Sequence, residues 1–175
     1  KYDMKKVIYI IFATLLFTSC AQEFNAVYNH TDYESKYEFA KQCFARGKYT
    51  QASTLLGELI TIFKGTDRAE ESLYIYAMSL YKDGDYEAAS DAFKRCYTSY
   101  PKGMYTESAY FYAAESLYES SPEPRLDQTP TMAAIKAYQD FLDIFPHTKR
   151  RSETHERMIA LQDKLVMKEY HSAKL

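Results

Sequence analysis

The sequence predicts an all-α fold in which helical hairpins stack into a curved solenoid, an alpha-alpha superhelix. Two observations predict it. First, the chain repeats itself at a step of 37 residues: residues 77–81 (AMSLY) return at 114–118 (AESLY), and residues 47–52 (GKYTQA) return at 84–89 (GDYEAA). Second, apolar residues within each unit recur at the spacing of one helix face. Such units cannot bury their apolar faces alone, so they are expected to stack on one another.

The order of residues within each unit predicts two helices and the turns that end them. A Gly-x-Tyr phrase separates two helical runs, and the glycine supplies the positive φ that ends the first helix. The second run opens on Ala, which lets two helices approach closely, and closes near a Pro, which stops the helix. The spacing of Ala89, Phe93, Cys96 and Pro101 returns in Ala134, Tyr138, Phe141 and Pro146. This pattern resembles the tetratricopeptide repeat.

Three units and one further helix account for the body of the chain. The units are predicted at residues 33–66, 70–103 and 107–148, and the last helix at about residues 150–171. This last helix is interpreted as the first helix of a fourth unit.

The third unit carries an insertion of about eight residues. The first-helix Ala and the second-helix Ala are 12 residues apart in the second unit (Ala77 to Ala89) and 20 apart in the third (Ala114 to Ala134). The extra residues fall within 121–130 (SPEPRLDQTP), where three prolines predict a loop between the two helices.

The first nineteen residues predict a lipoprotein signal peptide. A short basic start precedes residues 7–17 (VIYIIFATLLF), an uncharged run of eleven residues. The run is too short to span a bilayer and fits the apolar core of a secretory signal. Residues 15–20 (LLFTSC) resemble the bacterial lipobox, although Phe17 stands where Leu is usual.

We therefore expect cleavage before Cys20 and a lipid anchor on Cys20 itself. An ordinary secretory signal followed by an incidental Cys is the alternative. Residues 20–31 then form a tether, and residues 32–175 form the solenoid. The tether has no run of acidic residues after Cys20, which favours a domain facing the periplasm.

The composition argues against several classes of function. The net charge is −2 and the sequence pI is about 6.1, so the basic excess of a nucleic-acid-binding domain is lacking. The four histidines are scattered, and neither an HExxH motif nor a CxxC motif occurs. We expect no metal, no cofactor, no catalytic residue and no enzymatic activity. Cys43 and Cys96 fall at apolar helix positions, where buried thiols are favoured over a disulfide between them.

Aromatic residues make up 16% of the chain and recur with the repeat. The first aromatic rail is Tyr37, Tyr74 and Phe111, and the second aromatic rail is Phe44, Tyr81 and Tyr118. Within each unit the two members are seven residues apart and share one helix face. The first helix of each tetratricopeptide hairpin lines the concave surface, so the two rails are predicted to form a peptide-binding groove. Alternatively, these rings fill gaps between adjacent helix pairs.

A second resemblance is closer than the general repeat pattern. Residues 132–146 (MAAIKAYQDFLDIFP) are similar to the third unit of the BamD family of outer-membrane assembly lipoproteins. Residues 159–170 (IALQDKLVMKEY) are similar to the next helix of that family. With the lipobox, the tether and the order of repeats, the resemblance covers about residues 15–175.

The BamD resemblance implies a function and partners. Members of the BamD family are five-repeat solenoids anchored by lipid to the periplasmic face of the outer membrane. They work with the barrel protein BamA and receive unfolded outer-membrane proteins through a C-terminal β-signal, an amphipathic strand that ends in an aromatic residue. The chain stops at Leu175, near the end of the first helix of a fourth unit, so we expect the sequence to be truncated. The family's contacts with BamA lie toward the missing repeats.

Two other classes of function are compatible with the repeats. One is a different periplasmic scaffold lipoprotein, acting in cell division or pilus assembly. The other is a glycan-binding lipoprotein, which the lack of Trp disfavours.

Overall fold

The computed structural model describes residues 24–29 and 31–174, and these residues are almost entirely helical. Residues 24–28 form one helical turn within the predicted tether, where Phe24 packs against the first unit. The seven longer helices are α1 (Tyr33–Ala45), α2 (Tyr49–Ile62), α3 (Ala69–Asp83), α4 (Tyr86–Ser99), α5 (Thr106–Glu119), α6 (Thr129–Ile144) and α7 (Arg151–Ala173). The prediction of an all-α fold is confirmed.

Each helix packs mainly against its neighbours in the sequence, as helical hairpins stacked in a row do. Helices α1–α2, α3–α4 and α5–α6 form three hairpins, and α7 packs on the third. The first helices α1 and α3 also contact each other directly. The arrangement is a solenoid of the tetratricopeptide type.

The turns within the first two hairpins depend on glycine. Gly47 and Gly84 follow the ends of α1 and α3 with φ of 74° and 88°, a left-handed conformation that residues with a Cβ rarely adopt. The amide of Gly84 donates to the carbonyl oxygens of Leu80 and Tyr81 at the helix end, where the last carbonyls have no partner within the helix. Pro101 and Pro146 follow the C-caps of α4 and α6, where the chain leaves each hairpin.

The core consists of three apolar clusters, one for each hairpin, joined by shared aromatic rings. Phe44 packs against both the first and second clusters, and Tyr112 packs against both the second and third. The small residues at the close approaches are fully buried: Ala40, Ala52, Ala77, Ala89, Ala114 and Ala134. The interior is therefore continuous along the stack.

A first-turn glutamate joins each hairpin to the turn that follows it. Glu34 pairs with the guanidinium of Arg68. Glu70 accepts the backbone N–H of Tyr105 at 2.8 Å. Glu107 accepts the hydroxyl of Thr148 at 2.7 Å. The same residue type thus forms a link between units at all three junctions, with a different partner each time.

The predicted loop of the third unit covers residues 120–128, and α6 begins slightly earlier than the three prolines indicated. Pro130 lies in the first turn of α6, where its missing N–H costs nothing. The loop is held by the amide of buried Gln128, which donates to the carbonyl oxygens of Glu123 and Leu126 at 2.8 and 3.1 Å. The hydroxyls of Ser121 and Thr131 are 2.7 Å apart and close the loop at its base.

Cys43 and Cys96 are both buried thiols, as predicted, and no disulfide joins them. Burial raises the pKa of the Cys96 thiol to about 12. A thiol with so high a pKa is a weak nucleophile.

Candidate peptide-binding groove

The first aromatic rail is covered by the turns between units. The N-cap residue of each following first helix lies over one ring: Arg68 over Tyr37 at 5.1 Å, Tyr105 against Tyr74 at 4.5 Å and Arg150 over Phe111 at 4.3 Å. Tyr37 and Phe111 are 0% and 1% exposed. These two rings cannot contact a peptide in this conformation, so their assignment to an exposed groove is wrong. They fill the gap between adjacent hairpins, the alternative that the sequence left open.

The hydroxyl groups of this rail are held in the same gap. The Tyr37 hydroxyl donates to Glu71 on the next first helix at 2.6 Å. Burial and this hydrogen bond raise the pKa of Tyr37. Tyr74 is half-buried, and burial raises its pKa to about 12. Because both pKa values are raised, the two phenols stay neutral in the interface between units.

The second aromatic rail keeps part of its surface in solvent. Phe44, Tyr81 and Tyr118 are all half-buried. The ring centroids of Phe44 and Tyr49 are 5.6 Å apart, and those of Tyr81 and Tyr86 are also 5.6 Å apart, both in edge-on packing.

The insertion changes this contact in the third unit. Tyr49 and Tyr86 each follow their rail residue by five positions, but the corresponding position after Tyr118 lies in the inserted loop. The Tyr118 ring instead has Arg157 of α7 over it, at 4.7 Å. The rail is therefore a repeated feature whose last member has a different partner.

Charged side chains of both signs surround the second rail. The Lys82 ammonium lies 5.7 Å from the centroid of the Tyr81 ring. Burial, followed by the charges of Glu115 and Glu119, raises the pKa of Tyr81. Tyr112 packs edge-on against Tyr81 at 5.4 Å. The surface combines aromatic rings with charged groups.

A buried polar network behind this surface was missed by the sequence analysis. Glu115 is 3% exposed and accepts hydrogen bonds from the Tyr138 hydroxyl and, at 3.1 Å, from Arg157 Nε. One carboxylate thereby joins α5, α6 and α7. The signal that could have revealed the network is Glu115 itself, a charged residue in the middle of an apolar run of α5. A buried carboxylate needs a hydrogen-bond donor or a cation as its partner.

Neither a metal cluster nor a membrane-spanning helix is found in residues 24–29 and 31–174. No group of three or more His, Cys, Asp or Glu side chains there is placed to hold a metal ion. Within the same residues, no helix has the length and apolar character needed to cross a bilayer. The predicted signal peptide and Cys20 lie outside the described residues.

Comparison with known proteins identifies the family. The family model described as YfiO, outer membrane lipoprotein, matches residues 29–175. The chain belongs to the YfiO family of outer membrane lipoproteins. Outer membrane protein assembly factor BamD of Rickettsia prowazekii (strain Madrid E) is 25% identical over 122 residues, which are 70% of this chain and 49% of that protein. The match therefore spans about half the length of this relative, and the resemblance predicted from residues 132–146 and 159–170 is confirmed.

Proposed function

We propose that this YfiO-family lipoprotein is a non-enzymatic adaptor in the assembly of outer-membrane β-barrel proteins. In this role it holds an extended segment of an unfolded outer-membrane protein and presents it to a BamA-like barrel partner. Membership in the YfiO family, and similarity to a protein named an outer membrane protein assembly factor, support a role in this process. The half-buried second aromatic rail supports the mode of binding and is the observation that carries the proposal.

The second rail is suited to an extended peptide with aromatic residues. Its rings recur once per unit along the solenoid, so one strand can contact several of them. Half-buried aromatic rings offer large contact areas and are already fixed by packing, which lowers the entropy lost on binding. Lys82 and Glu119 beside Tyr81 and Tyr118 can pair with charged residues or with a terminal group of the client.

The binding test is a titration with a labelled β-signal peptide that ends in an aromatic residue, using a scrambled peptide as the comparison. We expect saturable binding to the chain and at least about tenfold weaker binding to Tyr81→Ala/Tyr118→Ala, because truncating two central aromatic contacts removes more than about 1.4 kcal/mol. Circular dichroism of each variant confirms the helical fold.

The matched control is Tyr97→Ala. Tyr97 is also half-buried, but its ring stacks on Tyr110 at 3.7 Å and lines a separate groove with Lys94 and Lys136. Equal binding of the native and scrambled peptides, or equal weakening by Tyr97→Ala and by the rail variant, would contradict the proposal.

The proposal includes a lipid anchor on Cys20. Several acyl chains on one residue give stable attachment, since each buried CH₂ contributes about 0.8 kcal/mol. Cys20→Ala protein should be exported, carry no acyl chain and remain in the soluble fraction. Mass spectrometry and membrane fractionation measure these properties, and an acylated Cys20→Ala protein in the membrane fraction would refute the assignment.

A further inference from the structure

The helical turn at residues 24–28 joins the proposed lipid anchor to the first hairpin. Phe24 packs against the apolar cluster of that hairpin, and its ring stacks on Tyr28 with the centroids 5.8 Å apart. Only residues 21–23 separate Cys20 from Phe24. Because a chain spans at most about 3.6 Å per residue, Cys20 lies within about 14 Å of Phe24. Acyl chains on Cys20 would therefore keep this end of the first hairpin close to the membrane.

Three exposed apolar side chains lie together at the same end of the hairpin and form the N-terminal patch: Tyr28, Tyr33 and Ile62, which are 44%, 43% and 38% exposed. The ammonium of buried Lys36 lies 5.7 Å from the centroid of the Tyr28 ring and 5.9 Å from that of Tyr33. The same ammonium pairs with Glu58 of α2 at 2.9 Å. Ile62 lies one turn beyond Glu58, on the same side of that helix. The three side chains thus surround one buried ion pair.

The repeat does not require an aromatic side chain at the position of Tyr33. At the 37-residue step its counterparts in the second and third units are Glu70 and Glu107. Both glutamates bind the turn that follows their hairpin, whereas the Tyr33 ring is exposed. The N-terminal patch therefore belongs to the unit next to the anchor and is not a general feature of the stack.

The charged groups around the N-terminal patch are largely paired. Lys36 neutralises Glu58, and Arg68 neutralises Glu34. Asp32 caps α1 by accepting the backbone N–H of Glu34 at 3.1 Å. These contacts leave the patch without a large excess of either charge, which suits a surface of zwitterionic groups better than a strongly charged partner.

We infer that the N-terminal patch lies against the phospholipid headgroups of the membrane. This inference rests on the lipid anchor of the proposed function. The headgroup layer is about 5–8 Å thick on each side of a bilayer, so a link of at most about 14 Å between Cys20 and Phe24 keeps the patch within its reach. Tyrosine is enriched at this depth, because its ring is apolar and its hydroxyl can bond to water and headgroups. The acyl chains attach the protein, and the patch sets the orientation of the first hairpin.

The test uses the lack of Trp in the chain, because a single introduced Trp reports on its own surroundings. Full-length acylated Tyr33→Trp protein is reconstituted into vesicles of phosphatidylethanolamine and phosphatidylcholine. In a parallel sample the phosphatidylcholine is brominated, and bromine quenches Trp fluorescence on contact. We expect the emission to shift to shorter wavelength in both vesicles and to lose intensity with the brominated lipid.

The matched control is Ala45→Trp. Ala45 is also exposed and is the last residue of α1, so it lies at the opposite end of the helix that Tyr33 begins. A helix rises 1.5 Å per residue, which places the two positions about 18 Å apart along its axis. The fluorescence of Ala45→Trp should be the same with either lipid.

A second variant tests the other members of the patch. Adding Tyr28→Ser and Ile62→Ser to the Tyr33→Trp protein removes the neighbouring apolar contacts, so quenching by the brominated lipid should weaken. Circular dichroism confirms that each variant keeps its helical fold, and flotation confirms that each remains attached to the vesicles.

Three results would overturn the inference. Acylated Tyr33→Trp protein that floats with vesicles but is not quenched would show that the patch is left for a protein partner. Equal quenching of Tyr33→Trp and Ala45→Trp would show that the contact is not specific to this end of the hairpin. Both results leave the lipid anchor and the peptide titration on the second rail standing. A parent protein without acyl chains, as measured by mass spectrometry, would instead remove the anchor and this inference together.

Discussion

The guanidinium carbon of Arg150 lies 4.3 Å from the centroid of the Phe111 ring and 5.2 Å from that of Tyr112. Arg150 is the N-cap of α7, and Phe111 lies in α5, the first helix of the preceding hairpin. The contact thus joins two successive first helices. It is also the third instance of one arrangement, after Arg68 on Tyr37 and Tyr105 on Tyr74.

This arrangement predicts that Phe111 stabilises the fold and takes no part in the proposed peptide binding. Phe111→Ala should lower the free energy of unfolding by about 3–5 kcal/mol, because it removes a fully buried ring and leaves a cavity. Arg150→Ala should cost less, about 0.5–2 kcal/mol, since a cation over a ring contributes that much and the side chain is partly exposed. Urea denaturation measures both values.

Lys149→Ala is the control for Arg150→Ala, because Lys149 is the adjacent residue and is exposed. It should change stability by less than about 0.5 kcal/mol. A Phe111→Ala protein as stable as the parent would contradict the covering role of the Arg150–Phe111 contact.

The sequence predicted the helices and hairpin turns because the same burial pattern recurs in each unit. Gly47 and Gly84 have the positive φ expected of residues that end the first helices. The covering of the first rail was not predicted, because it depends on a residue far along the chain whose type changes between units. The cover lies 31 residues after Tyr37 and Tyr74 but 39 after Phe111, and the difference of eight equals the length of the insertion. Periodicity within one helix therefore cannot distinguish a covered ring from an exposed one.

A second prediction concerns the junction between the second and third units. A Cβ on Gly103 would overlap the carboxylate of Glu70, which accepts the backbone N–H of Tyr105. Gly103→Ala should therefore displace this carboxylate and cost about 1.5–3 kcal/mol, the range for a hydrogen bond to a charged group. Glu70→Ala should cost a similar amount for the same reason.

The two changes at this junction should not add. Once Glu70 is shortened to Ala, the carboxylate that the new Cβ would displace is gone, so the double variant should resemble Glu70→Ala alone. Chemical denaturation of the two single variants and the double variant gives the coupling energy. Additive costs would refute the link between Gly103 and Glu70.

A third prediction concerns the network that Glu115 forms with Tyr138 and Arg157. Glu115→Ala should lower the free energy of unfolding by about 3 kcal/mol or more, since it leaves the buried Tyr138 hydroxyl without its acceptor and Arg157 without its carboxylate. Tyr138→Phe should cost only about 1 kcal/mol, because Glu115 keeps Arg157. The stabilities of both single variants and the double variant test whether the hydroxyl and the carboxylate are coupled. Zero coupling between Glu115 and Tyr138 would contradict the network.

The last prediction is a loss of stability at alkaline pH. Burial raises the pKa of Tyr74 from 10.0 to about 12, and burial together with the Glu115 hydrogen bond raises the pKa of Tyr138 further. Above pH 10 the unfolded chain loses phenolic protons that the folded chain retains, so the unfolded state binds fewer protons and stability falls as pH rises. The stabilisation is fully present below pH 10 and is lost between pH 10 and the folded pKa of each tyrosine.

Urea denaturation at several pH values above 10 measures the slope of this loss. One tyrosine contributes about 1.36 kcal/mol per pH unit, so Tyr138→Phe should reduce the slope by about that amount because phenylalanine does not ionise. Tyr33→Phe is the control, since Tyr33 is 43% exposed. It should leave the slope unchanged. If Tyr138→Phe and Tyr33→Phe have the same slope as the parent protein, the Tyr138 phenol is not protected in the folded state, and its burial against Glu115 is contradicted.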